Sequence, residues 1–126
     1  MKKKIKVGII GGGQLGMMLA EASSKLNIIP LIYSNTKDAP AAKVAKVYYG
    51  GFDDVDKLKR FIKQVDLVTY EFENIPTNSL KIIEQLVPIF PPIHSLKITQ
   101  DRVKEKKFFK DNKIPCVKTL ILKNEI

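Results

Sequence analysis

GIIGGGQLGMML, residues 8 to 19, gathers Gly11, Gly12, Gly13 and Gly16 around a turn and runs at once into an apolar, helix-forming stretch. The residues that lead into it, IKVGII at 5 to 10, form a short apolar run ending at glycines, the pattern of a central parallel strand. Beyond the turn, Leu15, Met18, Leu19, Ala22 and Leu26 recur at helical spacing, which predicts an amphipathic helix from Gln14 to Leu26. Strand, glycine turn and helix thus follow one another without a gap. Gly11, Gly13 and Gly16 satisfy G-x-G-x-x-G in the context that raises this pattern above chance. Gly11 and Gly13 permit a tight turn and a close backbone approach, while Gly16 lets the helix lie near the sheet. The N–H groups of Gln14 and Leu15 would then stand at the positive end of a helix, where an anion belongs.

The alternation continues downstream. NIIPLIYS (27–34) predicts a second strand, with Pro30 tolerable only at an edge or at the strand's start. AKVYYG (45–50) reads as a third strand, and DDVDKLKRFIKQ (53–64) as a helix with acidic residues early and basic ones late. DLVTYEF (66–72) is a fourth strand, IPTNSLKIIEQL (75–86) a helix with proline in its first turn, and VPIFPP (87–92) a short fifth strand. Strands alternating with helices predict an α/β fold, a Rossmann-like doubly wound parallel sheet with right-handed crossovers. After Pro91-Pro92 the character changes to a charged helix, SLKITQDRVKEKKFFKDNKIP, anchored by Ile98, Val103 and Phe109, and then to a strand-like VKTLIL. That places a first domain at 1–95 and the beginning of a second at 96–126, whose single helix and strand lack a sheet; the expectation is the N-terminal portion of a longer protein.

With 126 residues, 44% hydrophobic and 28% charged, the chain has the make-up of one globular domain. No apolar run approaches the ~18 residues of a membrane span, and MKKKIKVGII lacks the h-region of a signal peptide, so the expected location is cytoplasmic. Cys116 is the single cysteine; it excludes an internal disulfide and, without histidines nearby, argues against a metal site. The net charge of +9 is uneven, at +7 over residues 1–63, −3 over 64–96 and +5 over 97–126. Such a field suits phosphorylated small molecules. Twenty of the 22 basic residues are scattered lysines without interleaved aromatics, which argues against a nucleic-acid partner.

A dinucleotide enzyme would carry an acidic residue at the end of its second strand, about 20 residues after the glycines, to hold ribose hydroxyls. Here that strand ends Tyr33-Ser34-Asn35-Thr36, and Asp38 lies beyond it. Nicotinamide or flavin binding is disfavoured accordingly. A second constellation, VTYEFENIP at 68 to 76, sets Glu71 and Glu73 on one face of a strand and Phe72 on the other, at the carboxyl rim where open parallel sheets bind ligands. Two carboxylates there suit the hydroxyls and amines of a sugar or aminoimidazole; Glu73 or Asn74 alone could equally cap the next helix. In the third, TQDRVKEKKFF at 99 to 109, Arg102 is one of only two arginines. Its planar fork suits phosphate or a base, and an ion pair with Asp101 or Glu105 is the alternative.

The three landmarks in order, GGGQLG with MMLAEA, TYEFENIP, and QDRVKEKKFF followed by IP, resemble the N-terminal region of the 5-(carboxyamino)imidazole ribonucleotide synthetases, ATP-grasp ligases of purine biosynthesis. DAPA at 38 to 41 also resembles the family's segment after the second strand. The formate-dependent glycinamide ribonucleotide transformylases are similar but would show glutamate in place of Gln14 and PEIE in place of YEFE. The resemblance covers only the beginning of the family's protein, and implies a pre-ATP-grasp domain followed by the start of an ATP-grasp domain. It implies ATP-dependent carboxylation of aminoimidazole ribonucleotide: bicarbonate is phosphorylated, and the exocyclic amine becomes a carbamate as ADP and phosphate leave. Gly12, Gly13, Gln14 and Leu15 would border the ribonucleotide, Glu71 would contact it, Glu73 and Asn74 would lie beside it, and Arg102 would reach ATP. Met17 stands where many members carry a basic residue. The glycine-rich ATP loop, the Mg2+ ligands and the basic residues for the substrate phosphate are expected outside these 126 residues, so no catalytic residue or metal ligand is assigned and the chain alone is expected to be inactive. A homodimer is the expected assembly of the full-length ligase. A nicotinamide-dependent oxidoreductase and a non-catalytic ribonucleotide-binding module are the remaining alternatives.

Overall fold

A computed structural model describes residues 3–122. The elements run β1 (Lys6–Ile10), α1 (Gln14–Lys25), β2 (Ile29–Ser34), a 3-10 turn (Pro40–Lys43), β3 (Lys46–Tyr49), α2 (Val55–Ile62), β4 (Leu67–Tyr70), α3 (Thr77–Glu84), α4 (Ile93–Thr99) and α5 (Arg102–Asp111). The four strands pair in parallel in the order β3-β2-β1-β4. β1 is central, and its side chains divide between two covered faces. Ile9 packs with Ala20, Ile32 and Ala41 beneath α1 and the 3-10 turn, whereas Ile10 joins Tyr33, Phe61, Val68 and Leu80 beneath α2 and α3. Both isoleucines are fully buried, as a strand covered on both faces requires. Pro30 stands opposite Val7 and ahead of the first β2–β3 pair, Leu31 with Lys46, so its missing N–H interrupts no rung on the β3 side.

Five expectations need correction. In α1 the predicted apolar positions are not the packed ones: Leu15, Met18, Leu19 and Leu26 are exposed, and Gly16 and Ala20 are buried instead. Small residues let the helix axis come close to the turn and sheet, and the bulky side chains are left outside. The fifth strand is reduced to one bridge, Val68 with Ile89, made by Val68 N–H to the Pro88 carbonyl at 2.8 Å and Phe90 N–H to the Val68 carbonyl at 2.9 Å. Pro88, Pro91 and Pro92 have no N–H to extend it. The single charged helix is two helices, interrupted at Gln100 and Asp101, where the Asp101 carboxylate accepts from Val103 N–H at 2.9 Å and Lys104 N–H at 3.2 Å and so starts α5. α5 has no buried residue, so Val103 and Phe109 are not core anchors. Residues 117–122 form no strand, having no partner strand among the described residues.

Candidate functional site

In this strand order the chain reverses its winding direction between β1 and β4, and the crevice at the carboxyl ends of those strands is where doubly wound sheets take ligands. At the end of β1, Gly11 has φ +117° and its N–H donates to the Tyr33 carbonyl at 2.9 Å. Gly13 then caps α1, accepting from Met17 N–H at 3.0 Å. Beside it, Glu71 continues the β4 ladder by one bond, its N–H donating to the Ile10 carbonyl at 3.1 Å. Its side chain enters the space that Gly11 leaves, where a Cβ would lie 2.8 Å from Glu71 Cγ. Glu71 Oε1 accepts from Gly13 N–H at 3.3 Å.

That contact has an electrostatic reason. α1 has no acidic residue in its first turn and no side-chain cap, so the Glu71 carboxylate supplies the negative charge favoured at the positive helix end. At 3.3 Å the bond is longer than the ~2.7–2.9 Å of a strong charge-assisted one, and Oε2 has no protein donor among the described residues. The carboxylate is held in place yet keeps acceptor capacity.

A cleft of about 420 Å³ opens above this pair, lined by Gly11 to Gly13, Ser34 to Thr36, Phe52, Glu71 and Phe72 among others. Ser34 is buried, and its Oγ accepts from Thr36 N–H at 3.1 Å. Phe52 and Phe72 make one wall, ring centroids 5.5 Å apart. Amides, one carboxylate, a hydroxyl rim and an aromatic wall suit a small polar molecule with a flat part. A larger cavity, about 670 Å³, lies between α5 and residues 113–121, and includes no residue of the glycine turn or of TYEFENIP.

Of the predicted residues, Gly12, Gly13 and Glu71 come together in the cleft, while Gln14 and the exposed Leu15 begin α1 at its edge. Glu73 and Asn74 lie outside it. β4 ends at Tyr70, so strand alternation does not reach Glu73, which is exposed with Asn74 Nδ2 donating to its Oε1 at 3.5 Å. Phe72, expected on the opposite face from Glu71, lines the same cleft. Arg102 is 84% exposed and pairs with Glu105 at 2.8 Å, the alternative its sequence context left open; that pair, with Glu73 adding, holds the guanidinium pKa above its ordinary value. Sequence reasoning missed Phe52, signalled only by its place after Gly50-Gly51 at the rim, and Gln100, whose side chain reaches back to the Glu71 loop. Among the described residues no three His, Cys, Asp or Glu groups converge to hold a metal, and no helix is long and apolar enough to cross a membrane.

Residues 2–100 match the model of the ribonucleotide synthetase preATP-grasp domain. The chain is 40% identical over 111 residues to the N5-carboxyaminoimidazole ribonucleotide synthase of Pseudomonas aeruginosa, covering 88% of this chain and 31% of that protein. The Brucella melitensis synthase is 36% identical, with 90% of this chain and 32% of that one covered. Among solved structures, the N5-carboxyaminoimidazole ribonucleotide synthetase of Thermus thermophilus superposes with a TM-score of 0.83 at 40% identity, over 86% of this chain and 30% of that chain. The Aspergillus clavatus synthase in complex with ADP and 5-aminoimidazole ribonucleotide gives 0.82 at 29% identity, over 94% and 32%. The chain thus spans about a third of the length of these relatives. A parallel α/β sheet with a glycine turn and a carboxylate meeting at its switch point, and a family match over most of the sequence, together place this chain in the ribonucleotide synthetase preATP-grasp domain family.

Proposed function

We propose that the chain is the ribonucleotide-side part of an ATP-grasp carboxylate-amine ligase that carboxylates 5-aminoimidazole ribonucleotide with bicarbonate in purine biosynthesis. The observation that carries this reading is Glu71 Oε1 at 3.3 Å from Gly13 N–H on the floor of the cleft, in a chain similar to synthases of that name. In this reading the substrate phosphate approaches the amides of Gln14 and Leu15, with Gly12 and Gly13 leaving room for it. The free Oε2 of Glu71 accepts hydrogens from the ribose or amine, and Glu73 and Asn74 border the approach. ATP phosphorylates bicarbonate, the exocyclic amine takes the carboxyl group as a carbamate, and ADP and phosphate leave. Arg102, exposed on α5, serves the nucleotide by exchanging Glu105 for a phosphate. The described residues offer no ligand set that fits Mg2+. The chain's own contribution is to bind and orient, which for transfer from an unstable acyl phosphate carries much of the rate.

The same reading divides the chain into a substrate-side domain at 1–95 and the start of the ATP-grasp domain at 96–126, with α4 (Ile93–Thr99) running across the division. It takes the complete ligase to be a cytoplasmic homodimer. The test is ATP consumption by the full-length protein. ADP should form only when aminoimidazole ribonucleotide and bicarbonate are both present; ATP use indifferent to the ribonucleotide would refute the assignment.

A further inference from the structure

We propose that Gln100 is a positioning residue that holds Glu71 at the glycine turn; its importance for catalysis, though not the contact itself, rests on the function proposed above. Gln100 closes α4, its own N–H donating to the Leu96 carbonyl at 2.9 Å, so the base of its side chain is fixed. From there Nε2 donates to two carbonyls of one loop, Glu73 at 2.6 Å and Ile75 at 2.8 Å. Both hydrogens of the amide are used, and the orientation is dictated by chemistry, since the amide oxygen could not face two carbonyls. Between the Glu71 amide and the Pro76 cap of α3, these are the only hydrogen bonds among the described residues that reach the loop backbone from elsewhere in the fold. Packing of Phe72 on Phe52 and the fully buried Ile75 hold the loop's side chains, but neither sets the carbonyl positions.

The geometry gives this bracket two consequences. The loop starts at Glu71, whose contact with Gly13 is long enough to be lost by a small displacement, so fixing carbonyls two and four residues on restricts where that carboxylate can go. Gln100 also directly precedes Asp101, whose own carboxylate caps α5, so loss of the Gln100 amide releases the loop while leaving the start of α5 and Arg102 in place.

The test compares Gln100→Ala and Gln100→Glu with the unaltered protein. The glutamate variant keeps the reach but turns a carboxylate toward two carbonyls, which repel it; protonated, it can donate to one of them. In NMR spectra of the 126-residue chain, the Gly13 amide resonance should move in both variants. On acidification it should return part way in Gln100→Glu, measured as the difference from Gln100→Ala at the same pH. In the full-length ligase, KM for aminoimidazole ribonucleotide should rise about five- to tenfold, the scale of two partly exposed hydrogen bonds, while KM for ATP and kcat stay within about twofold. Should the glutamate variant unfold, Gln100→Met, of similar reach and without donors, replaces it. An unmoved Gly13 resonance in folded variants, or an equal loss of affinity for both substrates, overturns the proposal. Absence of ribonucleotide-dependent ATP cleavage in the unaltered ligase refutes the proposed function instead, and the Gly13 resonance still decides whether Gln100 holds the loop.

Discussion

Gly11 and Gly16 give up their side-chain space to other groups, and the site depends on both. Gly11 combines a positive φ with the volume that the Glu71 side chain occupies, so an alanine there is both strained and blocked. At Gly16 the backbone is ordinary helix, but a Cβ would run into the Gly11 carbonyl oxygen, which belongs to the backbone and cannot rotate away. Gly16→Ala should therefore cost about 1–3 kcal/mol, read from the urea midpoint, by pushing α1 off the turn. Glu71 invites the complementary experiment. Glu71→Gln keeps an oxygen for Gly13 N–H but loses the charge, and under the proposed function it should raise the full-length protein's KM for aminoimidazole ribonucleotide about tenfold or more, with the melting temperature little changed. An unaltered KM would dissociate Glu71 from substrate binding.

Among the elements, β2 carries a group whose protonation is coupled to folding. Tyr33 is 1% exposed and its hydroxyl donates to the Gly51 carbonyl at 2.9 Å. Burial first, then the nearby charges of Asp54 and Asp53, push its pKa from 10.0 up to about 12, with Arg60 opposing. Because the folded value lies above the unfolded one, this phenol adds stability that is complete below pH 10.0 and is lost as the pH rises towards about 12. Tyr33→Phe should flatten that alkaline loss in thermal melts, at a fixed cost of about 1 kcal/mol for the orphaned Gly51 carbonyl. Asp54, Asp66 and Asp101 work in the opposite range. Backbone N–H donors at Lys57, Lys6 and Lys104 hold their carboxyls below the ordinary 3.8, so what they add is present above that value and fades as acid protonates them.

The elements also show what a sequence can and cannot disclose. β1, the glycine turn and α1 were legible because an apolar run, a backbone requirement and a helical period fall in one unbroken stretch. Which face of α1 packs was not, because periodicity ranks Leu15 and Met18 above Gly16 and Ala20, whereas close approach to the Gly11 carbonyl rewards the small residues. The adjacency of Glu71 and the glycine turn followed from strand order, since both lie on the carboxyl rim of neighbouring strands. The end of β4 at Tyr70 did not, and with it went the expected pairing of Glu71 and Glu73. Gln100 lies 27 residues from Glu73 with no periodic or compositional signal to connect them.

At the scale of the whole molecule, the proposed function separates binding from turnover. The described residues line a cleft of about 420 Å³ between the glycine turn and Glu71, but hold no metal cluster, and the single arginine of the third motif is already engaged by Glu105. The 126-residue chain by itself should release no phosphate from ATP, with or without aminoimidazole ribonucleotide and bicarbonate, and bicarbonate-dependent release from it would contradict the division of labour proposed here.

The place of β1 in the sheet has a consequence in time. Val7 pairs with Pro30 on one side and with Leu67 on the other, so β1 is flanked on its second side only after some sixty further residues have been synthesised. Until β4 has left the ribosome, Ile10 and the glycine turn have no neighbour on that side, and a stretch of consecutive apolar residues waits unprotected. Nascent chains arrested before Tyr70 emerges should be held by chaperones, and those arrested well beyond it released.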